Sequence, residues 1–80
     1  MRKRQHKNYV NLNKLRGVLA EKKITYVECA EAIGISKFQF SRKMNGETMF
    51  WMNETIDLAN FLRLTLEEYY TIFLGKSELV

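Results

Sequence analysis

The stretch Thr25–Gly46, T-Y-V-E-C-A-E-A-I-G-I-S-K-F-Q-F-S-R-K-M-N-G, decides the fold of this 80-residue chain. It contains the pattern S/T-x-x-E/Q twice, once at Thr25 with Glu28 and once at Ser36 with Gln39. In this capping box the hydroxyl accepts a hydrogen bond from a free N–H of the first helical turn, and the Glu or Gln side chain accepts one from the backbone of the cap residue. Each pattern therefore predicts the start of a helix.

A tight turn joins the two predicted helices, which cover about 26–33 and 37–45. Gly34 lies between them, and glycine readily adopts the left-handed conformation that ends a helix and turns the chain sharply. The second helix is expected to stop at Asn45-Gly46. Two short helices joined in this way, with a basic second helix, indicate a helix-turn-helix unit that binds DNA.

Apolar residues mark the inner face of both helices, at the spacing that puts side chains on one side of a helix. They are Val27, Ala30 and Ile33 with Cys29 in the first helix, and Phe40 and Met44 with Ile35 around the second. The outward face of the second helix then carries Lys37, Phe38, Ser41, Arg42 and Asn45. This set suits a major groove, because Arg and Lys donate to guanine, Asn pairs with adenine and Phe contacts the thymine methyl group.

Length and composition favour an all-α domain of about five short helices. The hydrophobic fraction of 46% excludes a wholly disordered chain, and the absence of proline suits helices joined by tight glycine turns. Each remaining helix has a polar cap: helix one over about 11–23 with Asn11 or Asn8, helix four over about 53–62 with Asn53, and helix five over about 65–74 with Thr65 and Glu68. We expect a flexible basic arm over 1–10, the folded domain over 11–75 and a tail over 76–80.

Charge is distributed unevenly along the chain. Residues 1–46 carry 11 Lys and Arg against 3 Glu, a net charge of +8, whereas residues 47–80 carry 2 against 6 acidic residues, a net charge of −4. The first part therefore favours contact with a polyanion. The basic residues of its arm are Arg2, Lys3, Arg4 and Lys7. We expect the arm to follow phosphates or enter a neighbouring minor groove, with a solvated tail as the alternative.

Catalytic and metal chemistry would have few residues to use. The single cysteine, Cys29, cannot form an internal disulfide, and its place in a helical core pattern predicts a small buried hydrophobe, with a reactive thiol as the alternative. The only histidine, His6, lies in the charged arm, so neither a zinc cluster nor a Ser-His-Asp arrangement is expected. We therefore expect no enzymatic activity, no cofactor, no metal and no small-molecule ligand.

Apolar runs in the chain are short. The longest, Met49-Phe50-Trp51-Met52, is far shorter than a signal peptide core or a membrane span. We therefore expect a cytoplasmic location, at the nucleoid of a bacterial or phage-infected cell, and no membrane contact. Because Met49, Trp51 and Met52 cannot all be buried in so small a domain, Met49 and Trp51 are candidates for a dimer contact. A core or half-buried Trp51 is the alternative.

The order A-E-A-I-G-I-S-K-F-Q-F-S-R-K-M-N-G resembles the lambda-repressor-like helix-turn-helix family, in particular small phage repressor and Cro-type proteins. The matching residues are Ala30, Gly34, Ile35, Ser36, Phe40 and the ending S-R-K-M-N-G over 41–46. The resemblance extends more weakly over residues 12–74. Two positions depart from the family: Tyr26, where a phosphate-gripping Gln is common, and Phe38, which is usually polar.

The resemblance implies a role for particular residues. Base reading would fall to the second motif helix, at Lys37, Phe38 and Arg42 with Gln39 and Ser41 nearby. Contacts to the DNA backbone would fall to Tyr26, Lys43, Asn45 and the loop that follows, and Phe50 would plug the core. Two of these assignments are contested. Gln39 is also needed for the capping box, and Phe38 could instead fold over the end of the preceding helix.

These observations predict a sequence-specific double-stranded DNA-binding regulator, a phage-type repressor that blocks promoter access through the helix over 37–45. One helix reads only a few base pairs, so we expect a homodimer, at least on DNA. A protein-interaction module on the same fold, such as an antitoxin or an antirepressor-like adaptor, is the alternative from another class. Nonspecific architectural binding is a third, and it predicts steep salt dependence without sequence preference.

Overall fold

Five helices joined by short connections make up residues 10–75, the part of the chain that the computed structural model describes. The first four are α1 (Leu12–Lys22), α2 (Tyr26–Ile33), α3 (Lys37–Met44) and α4 (Met52–Leu62). The fifth starts as α5 (Leu66–Tyr69) and continues directly as a π-helical segment (Tyr70–Leu74). These residues contain no strand, and the prediction of an all-α domain of about five helices is confirmed.

The ends of the predicted ranges lie partly outside this description. Residues 1–9 of the predicted arm and the predicted tail over 76–80 are outside the described residues. Val10 is half-buried and packs against the core, so the packed part of the chain includes one residue that was assigned to the arm. Asn11 caps α1 as predicted, because its Oδ1 accepts from the backbone N–H of Lys14 at 3.0 Å.

Both capping boxes of the deciding stretch form. Thr25 Oγ1 accepts from the N–H of Glu28 at 3.1 Å, and Glu28 Oε1 accepts from the N–H of Thr25 at 2.8 Å. The same pair of bonds joins Ser36 and Gln39, at 3.0 and 3.1 Å. Gly34 between the two helices has φ +80°, the left-handed conformation predicted for the turn.

The start of α4 differs from the prediction. The helix is capped at Trp51 rather than at Asn53, and its first residue is Met52. The cause is Glu54, whose Oε1 accepts from the backbone N–H of Trp51 at 2.9 Å. Because Glu54, at the third position of the helix, accepts from the backbone N–H of its cap residue, the helix begins before Asn53, and the side-chain amide of Asn53 does not serve as the cap.

The core lies between all five helices. Its buried apolar residues are Leu15, Val18, Leu19, Cys29, Ala30, Ile33, Phe40, Met44, Leu58, Leu62, Ile72 and Phe73. Phe50 packs edge-to-face against Phe40 and Phe73, with ring centroids 5.9 Å apart in both pairs, so its predicted place as a core plug is confirmed. Val27 was expected to face inward, and this is wrong: 43% of its surface is exposed. The buried stripe of α2 is narrow and is filled by Cys29, Ala30 and Ile33.

Cys29 is fully buried, as predicted for a small core residue. Burial, with the nearby carboxylate of Glu28, raises the pKa of its thiol to about 11. A buried thiol with this pKa stays protonated at neutral pH, which is the opposite of the activated thiolate of a reactive cysteine.

Two kinds of feature are absent from residues 10–75. No helix in this range combines the length and the apolar character needed to cross a membrane. Within the same residues, no three His, Cys, Asp or Glu side chains converge so that they could hold a metal ion.

Candidate nucleic-acid interface

Helix α3 has one buried and one exposed face. Phe40 and Met44 are fully buried, whereas Lys37, Phe38 and Arg42 are exposed. The turn before α3 sets this orientation, because the N–H of Ile35 donates to the carbonyl of Ala30 at 3.0 Å, closing the end of α2. The packing of α3 on α2 therefore leaves a basic and aromatic surface directed away from the core.

Phe38 has the most exposed aromatic ring of the described residues. It keeps 71% of its surface in solvent, so the alternative in which it covers the end of α2 is wrong. A Phe side chain left in water forgoes about 1.5–3 kcal/mol of burial energy. An apolar contact on this face would recover part of that free energy.

Arg42 lies next to Phe38 and is held by two contacts. Its guanidinium carbon is 5.9 Å from the centre of the Phe38 ring, within the range of a cation–π interaction. On its other side, Nε donates to Oε1 of Glu47 at 3.3 Å. Both Arg42 and Glu47 remain about half exposed. Two contacts thus hold the Arg42 guanidinium at the surface, where it can still donate hydrogen bonds to a partner.

Lys43, a predicted contact to the DNA backbone, is instead buried, with only 7% of its surface exposed. Its Nζ donates to the carbonyl of Met49 at 2.7 Å and forms an ion pair with Oε1 of Glu54 at 3.1 Å. The same ammonium is 5.8 Å from the centre of the Phe50 ring. With its charge directed into the protein, Lys43 is not available to a phosphate, and its assignment as a backbone contact is wrong.

The other predicted contacts lie on or beside α3 with different degrees of access. Gln39 is exposed, but its Oε1 already accepts from the N–H of Ser36, so only its amide NH₂ group remains to donate outward. Ser41 is half-buried and Asn45 is exposed at the end of the helix. Tyr26 is half-buried, with its ring edge-to-face against Phe40 at 5.2 Å.

Trp51 and Met49 face solvent beside α3. Trp51 is 70% exposed, so the alternative of a core or half-buried indole is wrong. Together with Gln39, Arg42 and Thr48, these two residues line a groove between α3 and the segment that leads to α4. Their assignment to a dimer contact stays a prediction. The predicted arm residues Arg2, Lys3, Arg4 and Lys7 lie outside the described part of the chain.

Two acidic residues of this region were missed from the sequence. Glu54 pairs with Lys43 beneath the surface, and Glu47 pairs with Arg42 upon it. A signal existed for each. Glu54 follows Trp51 by three residues, the capping-box spacing, and Glu47 directly follows the helix stop at Asn45-Gly46, where the chain folds back over the last helical turn.

Two comparisons with known proteins found no match. No protein-family model matches the chain, and no curated protein matches it significantly. The resemblance to the lambda-repressor-like family therefore stays a prediction.

Proposed function

We propose that this protein binds double-stranded DNA in a sequence-specific manner, with α3 in the major groove, and regulates transcription by occupying a promoter. One observation carries the proposal: α3 buries Phe40 and Met44 completely while it leaves Lys37, Phe38 and Arg42 exposed to solvent. While these two residues keep α3 packed on the core, its exposed cationic side chains and the Phe38 ring can contact base edges in the major groove.

The distribution of charge supports DNA over an uncharged partner. The first 46 residues have a net charge of +8, and both the arm and α3 belong to them. Cations on such a surface attract the phosphate backbone at long range and orient the protein, whereas sequence is read by contacts to bases. Because a single helix reads few base pairs, a homodimer on two half-sites about one helical turn apart is part of the proposal.

A selection from a random duplex pool at physiological salt tests the proposal, with Arg42→Gln and Arg63→Gln as a matched pair. Each variant removes one positive charge. Arg63 is exposed at the C-terminal end of α4, nine residues after Glu54, the α4 residue that pairs with Lys43 of α3. We expect the wild type and Arg63→Gln to enrich the same sequence, and Arg42→Gln to lose preference at particular base pairs. Retention of DNA without enrichment would contradict the proposal and indicate architectural binding.

The exposed residues Phe38, Met49 and Trp51 favour a second candidate, a protein-interaction module on the same fold. Exposed Trp and Met are enriched at protein interfaces. Two substitutions separate the candidates. A DNA-binding protein should lose duplex binding with Arg42→Glu and retain it with Trp51→Ala, whereas an interaction module should lose its partner with Trp51→Ala and tolerate Arg42→Glu.

A further inference from the structure

Glu47 is tied to Arg42 twice. Its side chain accepts from Arg42 Nε at 3.3 Å, and its backbone N–H donates to the Arg42 carbonyl at 2.9 Å. The second bond belongs to the end of α3, where the N–H of Gly46 also donates to the Lys43 carbonyl at 3.1 Å and Gly46 has φ +81°. This pair of bonds is the Schellman motif, which turns the chain back over the last helical turn. The backbone therefore positions the Glu47 side chain beside Arg42.

The contact uses only part of the guanidinium. Nε donates to Glu47, and Cζ lies 5.9 Å from the centre of the Phe38 ring. The two terminal nitrogens, Nη1 and Nη2, are the pair of parallel donors that match O6 and N7 of guanine. Glu47 thus occupies Nε and leaves both terminal nitrogens for an end-on bidentate contact with guanine.

We propose that Glu47 is a specificity-determining residue, which orients Arg42 toward a guanine edge and discourages its use as a general phosphate contact. This inference rests on the proposed DNA-binding function. A carboxylate beside Arg42 offsets its positive charge locally. Arg42 therefore contributes less to the affinity for DNA of arbitrary sequence. At a matching base pair, Arg42 is already oriented and loses less side-chain freedom on binding.

The substitution Glu47→Gln tests the charge of this residue. Gln retains an oxygen that can accept from Nε, and the backbone N–H that closes α3 is unchanged, so the fold is expected to be kept. The matched control is Glu67→Gln, which removes one exposed carboxylate from α5. Affinities are measured for the duplex that the wild type enriches and for a shuffled duplex of equal length and composition.

We expect Glu47→Gln to bind the shuffled duplex about twofold to fivefold more tightly than Glu67→Gln does, the range of an exposed ion pair. Affinity for the enriched duplex should rise less, so the ratio between the two duplexes falls. A ratio equal to that of Glu67→Gln, or a higher one, would overturn the inference while leaving the DNA-binding function intact. A wild type that does not distinguish the two duplexes would overturn the proposed function, and this inference with it.

Discussion

Lys43 and Glu54 form a buried ion pair between α3 and the first turn of α4, with Nζ and Oε1 3.1 Å apart and each side chain only 9% exposed. Both partners also bind the connecting segment: Lys43 donates to the Met49 carbonyl, and Glu54 accepts from the N–H of Trp51. The pair therefore fixes the segment that carries Trp51 alongside the exposed face of α3.

Replacement of one partner of this pair should be costly. Lys43→Met leaves the Glu54 carboxylate buried without its cation, and breaking a buried pair in this way costs about 3–5 kcal/mol. A domain of 80 residues has a free energy of unfolding of similar size, so this variant should be largely unfolded. Urea unfolding followed by circular dichroism measures the change, with the exposed Lys14→Met as the control.

The double variant Lys43→Met with Glu54→Met should recover part of the stability, since apolar side chains of similar volume often replace a buried ion pair without a net cost. The loss of the Glu54 cap on the Trp51 N–H, about 0.5–2 kcal/mol, is not recovered. A single Lys43→Met variant as stable as Lys14→Met would contradict the account, because the pair would then contribute nothing to holding the segment.

The buried thiol of Cys29 should make the free energy of unfolding fall as the pH rises into the alkaline range. The pKa of its thiol is raised from an ordinary value of 9.0 to about 11 in the folded protein. Above pH 9 the unfolded chain loses the thiol proton while the folded chain keeps it, so stability is lost as pH rises from 9 toward 11. A shift of this size corresponds to up to about 3 kcal/mol.

The matched control for this prediction is Cys29→Ala, which has no thiol to titrate. The free energy of unfolding of the wild type should fall more steeply between pH 9 and 11 than that of Cys29→Ala, and alkylation by iodoacetamide at pH 8 should be slow until the protein is unfolded. Parallel pH curves for the two proteins, or rapid alkylation of the folded wild type, would contradict the burial of this thiol.

Lys37 should contribute to base preference. It is exposed at the first position of α3, next in sequence to the exposed Phe38. If it donates to a base, Lys37→Ala should weaken binding by about 1–3 kcal/mol at matching sites and relax preference at one position. Fluorescence anisotropy on duplexes with single base-pair changes measures this. Equal weakening on every duplex would instead make Lys37 a phosphate contact.

The basic arm should contribute through salt-dependent binding. Removal of residues 1–7, which include Arg2, Lys3, Arg4 and Lys7, should reduce the slope of log K against log salt by up to about 0.9 for each phosphate that the arm neutralises. Binding titrations between 50 and 300 mM salt (roughly the range in which such slopes are linear) give the slope. The same slope with and without the arm would show that the arm is a solvated tail that does not contact phosphates.

Local patterns account for the parts of the fold that the sequence predicts well. The two capping boxes and Gly34 depend on residues at most three apart, so the bounds of α2 and α3 follow from the sequence within one residue. Helical spacing also predicts that Ala30, Ile33, Phe40 and Met44 are buried, although it places Val27 wrongly. These features depend on interactions between residues that are close in sequence, so the sequence pattern is enough to predict them.

Contacts between helices account for the parts that were mispredicted. Whether Lys43 faces DNA or the interior depends on Glu54, a residue 11 positions away that Lys43 reaches only when the chain after α3 folds back and brings the start of α4 beside it. The cap at Trp51 has the same origin, because the carboxylate that makes it is held by Lys43. Helical periodicity does not show whether a long cationic side chain bends toward a buried partner.

The central claim is that the exposed face of α3 meets DNA. Chemical-shift mapping by ¹H–¹⁵N NMR, during titration with the duplex enriched by the wild type, tests it most directly. The largest changes are expected on the backbone amides of 36–47 and on the Nε–H of Arg42. Changes confined to the exposed residues Ile56 and Leu66 of α4 and α5, with α3 unaffected, would contradict it.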